Sequence, residues 1–159
     1  RDAQESRGLG DVYKRQAMEH TRWMGRMQQA EPFIYFDGAH NADGIAHFVK
    51  NVQKIAEEKP VLLFSMMEEK NHKEAVKVLC QEVAWDSIVL TRIPDSRGID
   101  PLKLQDEFMA NGRETVVIED CAQAYRYVKE YRKDNQMVFC AGSLYLIGEL
   151  EKIAGGNEA

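Results

Sequence analysis

Five times along the chain a short apolar run gives way to a polar turn and then to apolar residues spaced three and four apart. The runs are Phe33–Phe36, Pro60–Ser65, Ser87–Thr91, Thr115–Glu119 and Gln136–Cys140. Each is short, rich in β-branched or aromatic side chains and bounded by turn residues, which predicts a strand. The stretches behind them predict helices. Ile45, Phe48, Val49, Val52 and Ile55 form one apolar stripe, and Ala75, Val78, Leu79 and Val83 another within a helix over Asn71–Val83. Helix Pro101–Ala110 is introduced by Asp100 as N-cap, with Pro101 at the first helical position, and is stopped by Asn111-Gly112. Helix Asp120–Arg132 presents Ala124, Tyr125, Val128 and Tyr131, and the last helix buries Leu146, Ile147, Leu150 and Ile153. Tyrosines at that spacing read as core.

A run as continuously apolar as Val61-Leu-Leu-Phe64 belongs where both faces of a sheet are covered. Strands alternating strictly with helices predict an α/β domain: a mostly parallel sheet of about five or six strands with helices on both faces. In such sheets ligands settle beyond the carboxyl ends of the strands, beside the N–H groups of the next helix. The first strand ends in Asp37-Gly-Ala-His40-Asn41, which supplies a hydroxyl acceptor, a switchable imidazole and a helix cap. The second leads to Met66-Met-Glu-Glu-Lys70-Asn71, where Lys70 is either a solvated cation or an anion ligand. The last passes through Ala141-Gly142-Ser143, where Gly142 admits close backbone approach and Ser143 is either an ordinary cap or a ligand hydroxyl. His47 reads as a helix-surface residue. The three exits share one crevice only if their strands flank the point where the sheet reverses direction.

Composition narrows the class. The chain has 159 residues, 44% of them hydrophobic, enough for one domain with a real core. A net charge of −5 gives no support for binding nucleic acid or a membrane surface, and no apolar run is long enough to span a bilayer. Cys80, Cys121 and Cys140 make neither a metal-ligand spacing nor a disulfide set, so they read as buried thiols of a cytoplasmic protein. A monomer is expected.

Residues 1–16 lack helical or strand periodicity, and Ser6-Arg-Gly-Leu-Gly-Asp-Val-Tyr-Lys-Arg-Gln16 resembles the translation of a sequencing-library adapter. They are expected to be a non-native, disordered leader, with the natural gene continuing upstream. Residues 17–30 are expected to be a linker loop. Its Trp23-Met-Gly-Arg26 segment is either plain surface or the carrier of an arginine that meets phosphate oxygens. The domain proper is expected over 31–154, followed by a frayed tail over 155–159.

Four segments carry a family resemblance: Trp23-Met-Gly-Arg26, Asp37-Gly-Ala-His40-Asn41, Phe64-Ser-Met-Met-Glu-Glu-Lys70 and Ala141-Gly-Ser143-Leu-Tyr. Together, from Thr21 to Ala154, the chain resembles folylpolyglutamate synthases and, more broadly, the Rossmann-like C-terminal domain of the Mur ligase superfamily. The resemblance implies an ATP-dependent ligase joining L-glutamate to the γ-carboxylate of a folate, or to dihydropteroate in bifunctional forms, through an acyl phosphate and with Mg²⁺. It implies Arg26 at the ATP phosphates, Asp37 at the ribose, His40 and Ser143 at the incoming glutamate, Lys70 at a glutamate carboxylate and Asn41 supporting the loop. The family usually has Asp-Lys-Asp where Glu69-Lys70-Asn71 stands, and Pro where Met24 and Ala42 stand. No Gly-x-x-x-x-Gly-Lys-[Ser/Thr] phosphate loop occurs. The P-loop and the Mg²⁺ ligands are therefore expected in a separate N-terminal domain, and the chain alone is expected to be inactive. Two rival readings are a stand-alone nucleotide- or amino-acid-binding module and a fragment of a Mur-type ligase making peptidoglycan precursors.

Overall fold

The central strands owe their place to being apolar on both sides. Val61–Phe64 and Val138–Ala141 are buried at every position, with alternate side chains entering opposite layers. Leu62, Phe64 and Phe139 join one hydrophobic layer, whereas Val61, Leu63, Val138 and Cys140 join the other. The computed structural model describes residues 27–156. Within them are six strands, β1 (Gln28–Glu31), β2 (Ile34–Phe36), β3 (Val61–Phe64), β4 (Ser87–Leu90), β5 (Val116–Val117) and β6 (Val138–Ala141). Five helices accompany them: α1 (Ala42–Ile55), α2 (His72–Glu82), α3 (Pro101–Ala110), α4 (Cys121–Tyr131) and α5 (Leu144–Gly156).

The sheet order is β1-β2-β6-β3-β4-β5, parallel except for β1. Helices α1, α2 and α3 cover one face through Phe48, Leu79 and Phe108, among others. Helices α4 and α5 cover the other through Tyr125, Val128, Leu146 and Leu150. The chain therefore leaves β2 and β3 toward one face and β6, which lies between them, toward the opposite face. That is the topological switch, and it falls between the strands carrying Asp37, Ser65 and Ser143. The expected α/β architecture with helices on both faces is what forms.

Several boundaries differ from the sequence reading, each for a local reason. Gln28 and Gln29, expected in a linker loop, lie in β1, an antiparallel edge strand. An edge strand has one solvated side, so its sequence need not be apolar. Phe33, expected to begin a strand, instead sits in the hairpin turn at φ +68° behind Pro32, the pattern of a type II turn. Its carbonyl accepts from Val138 N–H at 2.8 Å, and Arg132 covers its ring. The strand expected over Thr115–Glu119 is only Val116–Val117, because β4 offers partners at Val89 and Leu90 alone. Helix α5 continues through Gly156, into the expected tail. Trp85, unremarked in the sequence, is buried with its indole N–H donating to the Leu79 carbonyl at 3.0 Å.

The end of the sheet remote from the switch is closed by Gln136. This buried amide donates to the Lys59 carbonyl and to the Asp86 carboxylate, each at 2.8 Å, and accepts from Lys133 N–H at 2.9 Å. The Gln136 bond, helped by the nearby Lys133, outweighs the upward push of burial and holds Asp86 below the usual carboxylate range. No described helix is long and apolar enough to cross a membrane.

One carboxyl is poorly placed. On α5, the Glu151 Oε2 atom is buried without a hydrogen-bond partner among the described residues, and burial raises the group to about 7. An acid whose folded-state value is raised binds more protons folded than unfolded, so stability falls as pH rises from about 4.5 to about 7 and is then level. Glu151→Gln should melt higher than the parent at pH 8, by ~3 °C after allowing for solvent screening, and match it at pH 4. Thermal denaturation across that range checks the sign.

Candidate functional site

The turn after β2 is built by its own acid. Asp37 N–H donates to the Cys140 carbonyl at 2.9 Å, extending the β2–β6 ladder by one residue. The buried Asp37 carboxylate then accepts from Ala39 N–H at 2.8 Å, an Asx turn that swings the chain out of the sheet. His40 Nδ1 lies 2.9 Å from the Gly38 carbonyl, which can only accept; the Nδ1 proton is therefore donated there, and Nε2 of the neutral ring is left as an acceptor. His40 is half-buried. Asn41 caps α1, its Oδ1 accepting from Gly44 N–H at 2.8 Å.

The exit of β6 locks onto that turn. Gly142, at φ +120°, donates its N–H to the Ala39 carbonyl at 3.0 Å. On its other side it lies so close to β3 that a Cβ would stand 1.8 Å from the Ser65 carbonyl oxygen. Ser65 N–H reaches the Ala141 carbonyl at 3.4 Å, and the buried Ser65 hydroxyl has no partner among the described residues. Next, the Ser143 hydroxyl accepts from Tyr145 N–H at 3.0 Å and Leu146 N–H at 3.4 Å. Ser143 is thus the N-cap of α5, buried, with its hydroxyl hydrogen still to be donated.

Main-chain bonds therefore bring Asp37, His40, Asn41 and Ser143 to one rim, with the N-termini of α1 and α5 beside them. Helix N-termini present N–H groups and a partial positive charge, an arrangement whose chemistry suits anions. Lys70 stands farther along, on the loop after β3, with its N–H donating to the Met67 carbonyl at 3.2 Å. It is half-buried, makes no ion pair among the described residues, and has no direct bond to the other four. Asn71 begins α2 as a cap, accepting from Glu74 N–H at 3.2 Å. Arg26 lies outside the described residues. Among those residues no three His, Cys, Asp or Glu side chains come together as a metal site.

Sequence reasoning passed over the loop from Ile93 to Gly98 as a plain turn. Its Arg97 guanidinium lies 4.9 Å from the ring centroid of Tyr145, two residues beyond Ser143. The available signal was the Asp95-Ser96-Arg97 spacing, in which an acid can accept from the N–H two residues on.

Fold and site together define a class: a doubly wound α/β domain with two capped helix N-termini brought together at its strand switch. Residues 24–144 match the profile of the family described as Mur ligase, glutamate ligase domain. The chain belongs to that family. It is 24% identical over 147 residues to the dihydrofolate synthase/folylpolyglutamate synthase of Bacillus subtilis, a match covering 91% of this chain and 33% of that protein. It is 30% identical over 135 residues to a probable bifunctional folylpolyglutamate synthase/dihydropteroate synthase of Haloferax volcanii, covering 83% of this chain and 16% of that one. Among solved structures, E. coli FolC in complex with DHPP and ADP superposes with a TM-score of 0.75 at 18% identity, over 86% of this chain and 32% of its own. A bifunctional folylpolyglutamate synthase/dihydrofolate synthase with Mn, AMPPNP and L-glutamate bound gives a TM-score of 0.70 at 18% identity, over 79% and 30%. The chain thus spans a third or less of the length of these relatives.

The close approach at Gly142 makes a sharp test. Gly142→Ala would drive a methyl group into the Ser65 carbonyl in a backbone conformation that L-residues avoid. We expect a loss of about 3 kcal/mol or more in urea unfolding. Gly112→Ala, also at positive φ but in open space, should cost about 1 kcal/mol.

Proposed function

We propose that this chain is the glutamate-presenting part of an ATP-dependent ligase that adds L-glutamate to the γ-carboxylate of a folate, or to dihydropteroate in a bifunctional parent. One observation carries the reading: two motif halves remote in sequence, Asp37-Gly-Ala-His40-Asn41 and Gly142-Ser143, are joined through the Asp37–Cys140 and Gly142–Ala39 bonds. Support also comes from relatives that are folylpolyglutamate or dihydrofolate synthases and from neighbours solved with ADP, DHPP or L-glutamate.

In the proposed reaction the acceptor carboxylate attacks the terminal phosphorus of ATP, forming an acyl phosphate and releasing ADP. The amine of glutamate then attacks the acyl carbon, an amide bond forms and phosphate leaves. Such chemistry needs alignment more than covalent help from the protein. Asp37 accepts from a ribose hydroxyl. His40 Nε2 accepts from the glutamate amine when the ring is neutral and donates to a carboxylate when it is protonated. Ser143 donates its remaining hydroxyl hydrogen and keeps the α5 N-terminus open to the same anion, and Asn41 does likewise for α1. Lys70 meets a glutamate carboxylate, and Arg26 the ATP phosphates.

The described residues do not fit a divalent ion, so no step is assigned to one here; Mg²⁺ in this reading is held by an N-terminal P-loop domain of the parent. Residues 1–16 are the leader and 17–27 the linker in this proposal, with the ligase domain beginning at β1. The proposed setting is cytoplasmic and the proposed state monomeric.

The division of labour is testable in the full-length parent enzyme. His40→Ala should raise KM for glutamate at least tenfold while leaving that for ATP within about twofold, and Asp37→Ala should raise that for ATP far more than that for glutamate. Equal effects on both substrates would undo it. The isolated chain should show no glutamate-dependent ADP formation in a coupled assay.

A further inference from the structure

The loop from Ile93 to Gly98 is not used in the reaction proposed above, yet it is held with unusual care. Its backbone is pinned to the exit of β3: Glu68 N–H donates to the Arg97 carbonyl at 2.7 Å and Ile99 N–H to the Met66 carbonyl at 2.9 Å. Met67 and Gly98 form an isolated antiparallel bridge, and Gly98 N–H returns to the Asp95 carbonyl at 2.9 Å. Asp95 then grips Arg97 at three points. Its Oδ1 accepts from Arg97 N–H at 2.9 Å and Nε at 3.0 Å, and its Oδ2 accepts from Nη2 at 3.0 Å.

A two-point carboxylate–guanidinium pair fixes the plane of the guanidinium as well as its position. Its Cζ stands over the ring of Tyr145, 4.9 Å from the centroid. Tyr145 is the second residue of α5, and its own N–H is one of the two taken by the Ser143 hydroxyl. Arg97 is therefore tied to the β3–β4 side of the crevice by main chain and to the β6 side by an aromatic face. This also accounts for Tyr145, one of three large apolar side chains left more than half exposed among the described residues.

We propose that Arg97 is a positioning residue: anchored by Asp95 and seated on Tyr145, it straps the rim beyond β3 to the first turn of α5 and keeps the Ser143 cap in register. The statement that this turn faces glutamate rests on the function proposed above; the strap itself does not. The geometry favours a strut over an anion receptor, because one of the two bidentate edges of the guanidinium already holds a carboxylate, and Asp95 offsets the charge. A lysine cannot replace it, since an ammonium has no plane to set against both an acid and a ring.

Amide hydrogen exchange by NMR on the chain itself reads the strap directly. In Arg97→Ala and in Tyr145→Leu, exchange at Tyr145 and Leu146 should speed up about threefold, while Leu150 and the amides of α4 stay unchanged. Tyr145→Phe should restore protection and Arg97→Lys should not. The double variant should be no worse than either single one, because both remove one coupling. The upfield ring-current shift of the Arg97 side-chain protons should vanish in Tyr145→Leu. Unchanged exchange, or additive effects in the double variant, overturns the strap.

Titration of the same proteins with L-glutamate separates the two readings. Arg97→Ala should weaken binding by about the same factor as it speeds exchange, and binding abolished with exchange as in the parent would make Arg97 a ligand contact and overturn the strap. If the parent chain binds no glutamate while the exchange pattern holds, the strap stands and the proposed function is what fails.

Discussion

Between Gly142 and the Ser65 carbonyl there is no room for a side chain, and the site depends on that contact. Strand β6 lies between β2 and β3 but sends its helix to the opposite face from theirs. To leave the sheet there, its backbone must pass between the two neighbouring exits, against the carbonyl of one and the turn of the other. A residue with a Cβ would push β6 away from β3 and break the Gly142–Ala39 bond that ties it to β2. One glycine thus lets three chain segments converge, and the crevice is their junction.

What converges is mainly helix N-termini. Asn41 and Ser143 each use a side-chain oxygen to satisfy N–H groups of the helix that follows, which fixes the direction of α1 and of α5. The partial positive charge of the two helix starts is built into the fold at the junction, before any ligand arrives. Asp37 has a double part. Its carboxylate shapes the turn through Ala39 N–H, so the group assigned to the nucleotide ribose is also a structural one. A substitution there changes the turn as well as the contact, and for that reason His40, half-buried and bonded only to its own loop, is the cleaner probe of the site.

The regular interior was legible because its side chains obey a period. Helical stripes such as Ile45–Val52 and doubly buried strands such as β3 repeat a single instruction at every turn or pleat. The helix Pro101–Ala110 could be bounded to the residue, since Asp100, Pro101 and Asn111-Gly112 act through strictly local geometry. The candidate rim was half legible for the same reason: Asn41, Ser143 and Gly142 have local signatures, but their meeting depends on strand order, which no local pattern carries. Strand β1 escaped notice because an edge strand does not have to be apolar, and β5 was overextended because its partner ends first. Arg97 was missed because its role depends on Tyr145, a residue adjacent in space and distant in the chain.

The same distinction explains how the fold survives at 18% identity with a TM-score of 0.75 against a solved relative. The junction is held by N–H and carbonyl groups, which every residue but proline supplies, and by one position that needs glycine. Side chains around it are then free to vary so long as they neither fill the Gly142 contact nor uncap the two helices. His40 and Lys70 sit half-buried on the loops that leave this main-chain frame, so their chemistry can change without cost to the sheet. A frame of that kind separates scaffold from chemistry: the main chain sets where the rim lies, and a few loop side chains are left to vary upon it.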